Sequence, residues 1–118
     1  MSTETEISGI YSAVFRSNNN QVGSGVAVFS NYFVHGGDAA CYYRGKCIRG
    51  EHNTITGYIE VVKYSAAASP IFPFDSYRLL LNGIEMDSGF ELSGQVEGHP
   101  HFMIQISLQR MDDLIDQD

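Results

Sequence analysis

The sequence has little of several residue types, and each scarcity excludes something. It contains no tryptophan, 3 prolines, 2 cysteines and only 7 lysines and arginines, against 14 aspartates and glutamates. The net charge of -7 repels a phosphate backbone, so no direct binding to nucleic acid is expected. No apolar run approaches the roughly 20 residues that a membrane helix needs, so we also expect no association with a membrane.

The two cysteines, Cys41 and Cys47, fall on one predicted strand. A strand rises about 3.3 Å per residue, which places them roughly 20 Å apart, whereas a disulfide requires Cα atoms within about 7 Å. We therefore expect two free thiols packed in the core, as is usual in a reducing cytosol. Residues 1–6 are polar and acidic, unlike a signal peptide, so the protein is predicted to be cytoplasmic.

The residues that are abundant indicate a small all-β domain. A chain of 118 residues has room for one core, and 43% hydrophobic with 18% charged residues is a globular composition. The 12 glycines, 7 tyrosines and 7 phenylalanines favour short strands joined by tight turns.

Alternation of apolar and polar residues, interrupted by glycine, asparagine and serine, predicts about eight strands. We expect a flexible tail over 1–6, one barrel domain over 7–110 and an acidic tail over 111–118. The predicted strands are 7–15, 23–29, 32–35, 40–48, 54–64, 76–81, 89–96 and 101–109.

The connections between these strands are short, except for the segment 65–75. Short connections give antiparallel neighbours and a meander, and about eight strands suffice to close a barrel. Glycines inside the strands, such as Gly45 and Gly57, fit the bends of a small barrel. A sandwich of the same strands is the alternative.

Several short motifs occur in a particular order, mainly in the first two thirds of the chain. They are Gly9-Ile10-Tyr11-Ser12, Gly23-Ser24-Gly25-Val26, Gly36-Gly37-Asp38, Tyr43 with Gly45, and Asp75 before Tyr77. In this order and spacing the set resembles the GrlR family, small β-barrel negative regulators of type III secretion genes. The resemblance implies a lipocalin-like antiparallel barrel that forms a homodimer. It also implies a regulator that binds and sequesters a transcriptional activator, which agrees with the acidic composition.

The resemblance also implies where a protein partner would bind. Members of the family contact the activator through an acidic surface loop after the fourth strand. The corresponding residues here are Arg49, Gly50, Glu51, His52 and Asn53. Glu51 alone among them is acidic, so a different activator is the expected partner.

Besides the two cysteines, two groups of residues could carry chemistry, and each has a simpler structural interpretation. His35 and Asp38 flank two glycines, where Asp38 is expected to cap a turn. His99 and His101, with His52, lack a clear further ligand for a metal. We predict no catalytic residues, no metal and no cofactor, and a protein that is not an enzyme.

The segment 65–74 carries bulky apolar residues between two prolines. Ile71, Phe72 and Phe74 are expected to plug one end of the barrel, or else to form a lid at a cavity entry or a patch for a partner. The second function class is therefore a carrier or sensor that holds a small apolar molecule inside the barrel.

The first two strands are apolar on both faces, which predicts a dimer. We assign Ile10, Val14, Ala27 and Phe29 to its interface, since a barrel strand needs only one buried face. The alternative is that the segment 65–75 of the same chain covers this patch.

Overall fold

The alternating strands close on themselves in the computed structural model, which describes residues 6–66 and 71–115. Each strand pairs antiparallel with the next, and β8 pairs with β1, so the predicted all-β meandering barrel is confirmed and the sandwich is wrong. The strands are β1 Gly9–Ser17, β2 Val22–Ser30, β3 Phe33–Gly37, β4 Cys41–Arg49, β5 Thr54–Lys63, β6 Ser76–Met86, β7 Gly89–Val96 and β8 His99–Asp112.

Two strands are much longer than the sequence predicts. β6 continues through Asn82 and Gly83, which resemble a turn but pair with Ser93 and Leu92 of β7. β8 begins at His99 and ends at Asp112, so the barrel extends two residues past the expected boundary at 110. Of the predicted tails 1–6 and 111–118, residues 1–5 and 116–118 lie outside the described residues, whereas Met111 and Asp112 belong to β8.

A line of glycines bends four successive strands where neighbouring backbones approach closely. A Cβ on Gly45 would lie 2.0 Å from the carbonyl oxygen of Tyr58, so no side chain fits there. Such kinks are how a sheet turns the corner of a barrel. The glycines in this line, from β3 to β6, are Gly36, Gly45, Gly57 and Gly83.

The barrel has two unlike ends. The closed end carries the β2–β3, β4–β5 and β6–β7 connections, and the open end carries the β1–β2, β3–β4, β5–β6 and β7–β8 connections. At the closed end the ring of Tyr11 lies 5.1 Å from that of Phe29 and 5.2 Å from that of Phe90. Ile7, which precedes β1, is also fully buried, so this half of the interior is filled by aromatic and aliphatic side chains.

The described part of the chain contains one short 3-10 turn, Glu51–Asn53, between β4 and β5. Among these residues no helix has the length and apolar character needed to cross a membrane.

Candidate functional site

The open half of the barrel encloses a cavity of about 270 Å³. Several buried positions around the cavity carry small side chains, including Ala13, Ala27 and Ala40. Leucine and isoleucine from β6 to β8 form most of the opposite wall. Because protein interiors are normally packed without large voids, a hollow of this size is a candidate binding site.

Asp38 lies at the rim of the cavity and is held in place by its own hairpin. Its Oδ1 accepts hydrogen bonds from the backbone N–H groups of Ala40 and Cys41, both at 2.8 Å. Its Oδ2 accepts a hydrogen bond from the Tyr43 hydroxyl. The predicted turn-capping role of Asp38 is therefore confirmed. The same carboxylate also lines a cavity, which the local sequence pattern does not predict.

Burial governs the ionisation of the polar groups around the cavity. It raises the pKa of the Tyr43 hydroxyl, with a further contribution from the hydrogen bond to Asp38. Burial likewise raises the pKa of Tyr77 far above its ordinary value of 10.0. Both side chains therefore line the cavity as neutral hydroxyls at physiological pH.

The two cysteines are free and buried, as predicted, and both line the cavity. Burial raises the pKa of the Cys47 thiol from 9.0 to about 12. Burial and then the charge of Asp38 raise the pKa of Cys41. Because the thiolate is the nucleophilic form, the raised pKa makes both thiols weak nucleophiles at neutral pH.

The apolar residues of the β5–β6 connection lie at the open end. Phe72 is only 1% exposed and packs edge-on against Tyr77 and Phe102, with ring centroids 5.5 and 5.3 Å away. Phe74 is half-buried against the same two rings, and Ile71 lines the cavity. These three residues therefore occupy the end of the barrel beside the cavity, a position that fits both the plug and the lid interpretation.

The residues assigned to a dimer interface do not share one face. Ala27 and Phe29 point into the barrel and are 5% and 3% exposed, so this part of the prediction is wrong. Ile10 and Val14 do face outward, where Ile10 pairs with Val28. The inward and outward positions on β2 are the reverse of those predicted. Its valines form the outer face, and Ala27 and Phe29 do not.

The predicted partner-binding turn lies at the closed end, away from the cavity. Residues Gly50 to Asn53 are exposed, and the backbone of His52 and Asn53 has positive φ values of 58° and 62°. Arg49 differs from the others because it is half-buried and forms an ion pair with Glu85. The turn therefore offers an exposed surface, but the side chain of Arg49 is already paired within the chain.

His99 and His101, for which the sequence favours a polar turn over a metal site, pack against aromatic rings. The ring of His99 lies 4.9 Å from Phe74, and that of His101 lies 4.4 Å from Phe102. Within residues 6–66 and 71–115 no three histidine, cysteine, aspartate or glutamate side chains come together to hold a metal ion.

Comparisons with known proteins establish the fold alone. No family model and no curated protein matches the sequence. Among solved structures, the barrel is similar to one described as a redesigned beta barrel, with a TM-score of 0.61 and 14% sequence identity. The alignment covers 89% of this chain and 91% of that chain. The chain therefore shares the architecture of a closed β-barrel.

Proposed function

We propose that the protein binds a small apolar molecule inside its barrel, as a carrier or sensor. The observation that supports this proposal is the cavity of about 270 Å³, which is lined almost entirely by apolar side chains and reached from the open end. Apolar surroundings with a few polar groups at one end are typical of sites for small ligands.

The volume limits the size of the molecule. An engineered apolar cavity of roughly 150 Å³ holds benzene, so about 270 Å³ accommodates roughly ten to twelve non-hydrogen atoms. A ligand of this size that buries most of its surface would bind with a Kd on the order of 100 µM or below.

The composition of the cavity wall also favours a binding role. Replacing small inner residues such as Ala13 or Ala27 by larger apolar ones would fill the cavity and add dispersion contacts. The chain carries alanine at these positions, while Tyr11 and Phe29 fill the closed half. A hollow retained at the expense of packing is typical of a functional site.

Butylbenzene, with ten carbon atoms and no polar group, is a suitable probe. We expect its titration to shift the ¹H–¹⁵N resonances of cavity-lining residues and to saturate in the submillimolar range. Ala13→Leu places an isobutyl group in the cavity and should weaken binding at least tenfold. Ser12→Leu, the next residue on β1 but on its outer face, is the matched control and should bind as the parent does.

Absence of saturable shifts in the folded parent protein would contradict the proposal. Because Ala13→Leu can also overpack the core, its folded state is checked by the dispersion of the same spectrum. Ala27→Leu, on the neighbouring strand β2, provides a second test of the same site.

A second candidate function is the one that the GrlR resemblance implies, a cytoplasmic homodimer that sequesters a transcriptional activator. An exposed apolar surface on the outer side of β1 and β2 favours it. Val14, Val22 and Val26 are 58%, 63% and 49% exposed, whereas β7 and β8 present polar pairs such as Ser93 with Gln105 on their outer faces. Exposed apolar residues also occur on β3, β4, β6 and β8, but the three valines lie close together on two paired strands, and such a patch is typical of a surface for protein contact.

The solution mass and a transcription reporter test this second candidate. Light scattering at micromolar concentration should give twice the chain mass, and Val14→Asp should reduce it to one. Met103→Asp, at a residue 49% exposed on β8, is the control and should leave the mass unchanged. A monomer mass for the parent protein would contradict this second candidate. It would also be contradicted if the parent and Val14→Asp repressed an activator-dependent reporter equally.

A further inference from the structure

The polar groups of the cavity are confined to one place, which limits the chemistry of a ligand. Ser24, Asp38, Tyr43 and Tyr77 lie at or near the open end, while the remaining side chains of the wall are apolar apart from the buried thiols. No lysine, arginine or histidine belongs to the described cavity lining, although the charge of Lys63 acts on Cys41 from the neighbouring strand. The site therefore has a negative charge at its rim and no positively charged side chain in its lining that could pair with a ligand's acid group.

The Asp38 carboxylate is fixed and retains room for one more donor. A carboxylate accepts about four hydrogen bonds. Asp38 receives three within the chain, from the N–H groups of Ala40 and Cys41 and from the Tyr43 hydroxyl. The backbone of Asp38 is held as well, because its N–H donates to the Cys41 carbonyl at 2.9 Å and its own carbonyl accepts the Tyr64 hydroxyl at 2.7 Å.

The Tyr43 hydroxyl adds a second acceptor beside the first. Its proton is committed to Asp38, so the oxygen offers lone pairs to the cavity. Gly25 makes this arrangement sterically feasible, since a Cβ there would lie 2.8 Å from the Tyr43 hydroxyl and 2.5 Å from the Gly37 carbonyl. The rim thus presents two neighbouring oxygen atoms, each of which can accept a hydrogen bond from a ligand.

The charge of Asp38 acts on its neighbours inside the cavity. It contributes to the raised pKa of Tyr43, Tyr77 and Cys41, which all resist acquiring a negative charge near it. A ligand carboxylate at the same place would meet the same repulsion, in surroundings of low polarity where it is strong.

We propose that the ligand is an apolar molecule with one hydrogen-bond donor at its end, an amine or an alcohol, held by Asp38 and Tyr43. The corollary is that the cavity rejects carboxylates of the same length, such as short fatty acids. This inference rests on the proposed ligand-binding function and specifies the class of its ligand.

Octylamine, octanol and octanoate share one chain length and differ in the terminal group, so they test the inference directly. At neutral pH we expect octylamine and octanol to bind at least tenfold more tightly than octanoate, measured by ¹H–¹⁵N titration. A charge-assisted bond to Asp38 should place octylamine first. Asp38→Asn, which keeps an oxygen for the turn but loses the charge, should reduce the discrimination against octanoate to less than threefold.

Two further variants separate the carboxylate from its surroundings. Tyr43→Phe removes the second acceptor and should weaken octanol binding severalfold while preserving the rejection of octanoate. Asp75→Asn removes a carboxylate at the same end that does not line the cavity, and should change nothing. If Asp38→Asn does not fold, the comparison of Tyr43→Phe with Asp75→Asn still tests whether acceptors at the rim of the cavity select the ligand.

The outcomes distinguish this inference from the function on which it rests. If octanoate binds as tightly as octanol, or if its rejection persists in a folded Asp38→Asn variant, the donor hypothesis is wrong while binding of butylbenzene would still support the ligand cavity. If neither butylbenzene nor any of the eight-carbon probes binds, both proposals are overturned.

Discussion

Arg49 at the end of β4 and Glu85 on β6 form a two-point ion pair across the intervening strand β5. The Arg49 Nε lies 2.7 Å from Glu85 Oε1, and Nη2 lies 3.0 Å from Oε2. The remaining nitrogen, Nη1, donates to the backbone carbonyl of Glu6 at 2.7 Å. One guanidinium therefore holds the segment that carries the fully buried Ile7 against the closed end of the barrel.

Arg49→Lys should lower the free energy of unfolding by about 1 kcal/mol, because an ammonium cannot form the planar two-point contact or reach Glu6 at the same time. Both side chains are only about a quarter to a third exposed, so water screens the pair incompletely. Arg44→Lys is the matched control: Arg44 pairs with Glu60 but is 62% exposed, and the expected change is under about 0.5 kcal/mol. Urea unfolding of the two variants measures the difference, and equal effects would refute the role given to Arg49.

The glycine line predicts a second, larger effect. Gly57→Ala would place a Cβ 2.1 Å from the carbonyl oxygen of Lys46, and backbone in a paired strand cannot withdraw. We expect a loss of more than about 2 kcal/mol in unfolding free energy. Gly94→Ala is the control, since its Cβ would come closest to the side-chain ends of Leu81 and Ile104, at 2.9 and 3.1 Å, with the nearest backbone oxygen at an ordinary contact distance of 3.5 Å, and should cost under about 1 kcal/mol. A stable Gly57→Ala protein would show that the barrel corner does not depend on that contact.

The limits of the sequence analysis follow from these glycines. Strict alternation of apolar and polar residues is enough to identify the inner faces of β7 and β8, where Phe90 and Ile106 are buried. Asn82 and Gly83 have a local preference for turns, yet both pair with β7, and residue 83 is a glycine because the carbonyl oxygen of Glu91 would lie 2.0 Å from a Cβ there. Such a contact joins residues distant in sequence, so the local pattern does not contain it.

The cavity could not be predicted from the sequence for a related reason. Whether opposite walls of a barrel touch depends on its radius and stagger, which the pattern of each strand does not specify. The pairing of Asp38 with Tyr43 was nearer to prediction, because both lie on one hairpin five residues apart. On β2 the apolar residues on both faces concealed which of them point inward, and only the register with β1 shows that Ala27 does.

Alkaline pH should destabilise the protein through the buried thiol of Cys47. Its pKa is raised from 9.0 to about 12 by burial, so above pH 9 the unfolded chain releases a proton that the folded chain keeps. The unfolded state then binds fewer protons, and stability falls with rising pH between about 9 and 12, by up to about 1.4 kcal/mol per pH unit from this group. Tyr43 and Tyr77, whose pKa values burial also raises, add to the loss above pH 10. Cys47→Ala should flatten the profile between pH 9 and 10, and an unchanged slope would contradict this assignment.

Phe72 should affect both the stability of the barrel and the entry of a ligand into the cavity at the open end. Its side chain is 1% exposed and lies edge-on to Tyr77, a residue that lines the cavity. Phe72→Ala would leave a void beside the cavity wall and should cost about 3 kcal/mol, as for other buried phenylalanines. It should also speed the exchange of butylbenzene, because the ring no longer fills the space next to Ile71 at the entrance. Phe74→Ala is the control from the same connection: it is half-buried, so we expect a loss of about 1 kcal/mol or less and little change in exchange rate. Line-shape analysis of the titration gives the rates. If Phe72→Ala loses stability but exchanges the probe no faster than Phe74→Ala does, then Phe72 supports the core without controlling entry, and the path into the cavity lies elsewhere on the rim.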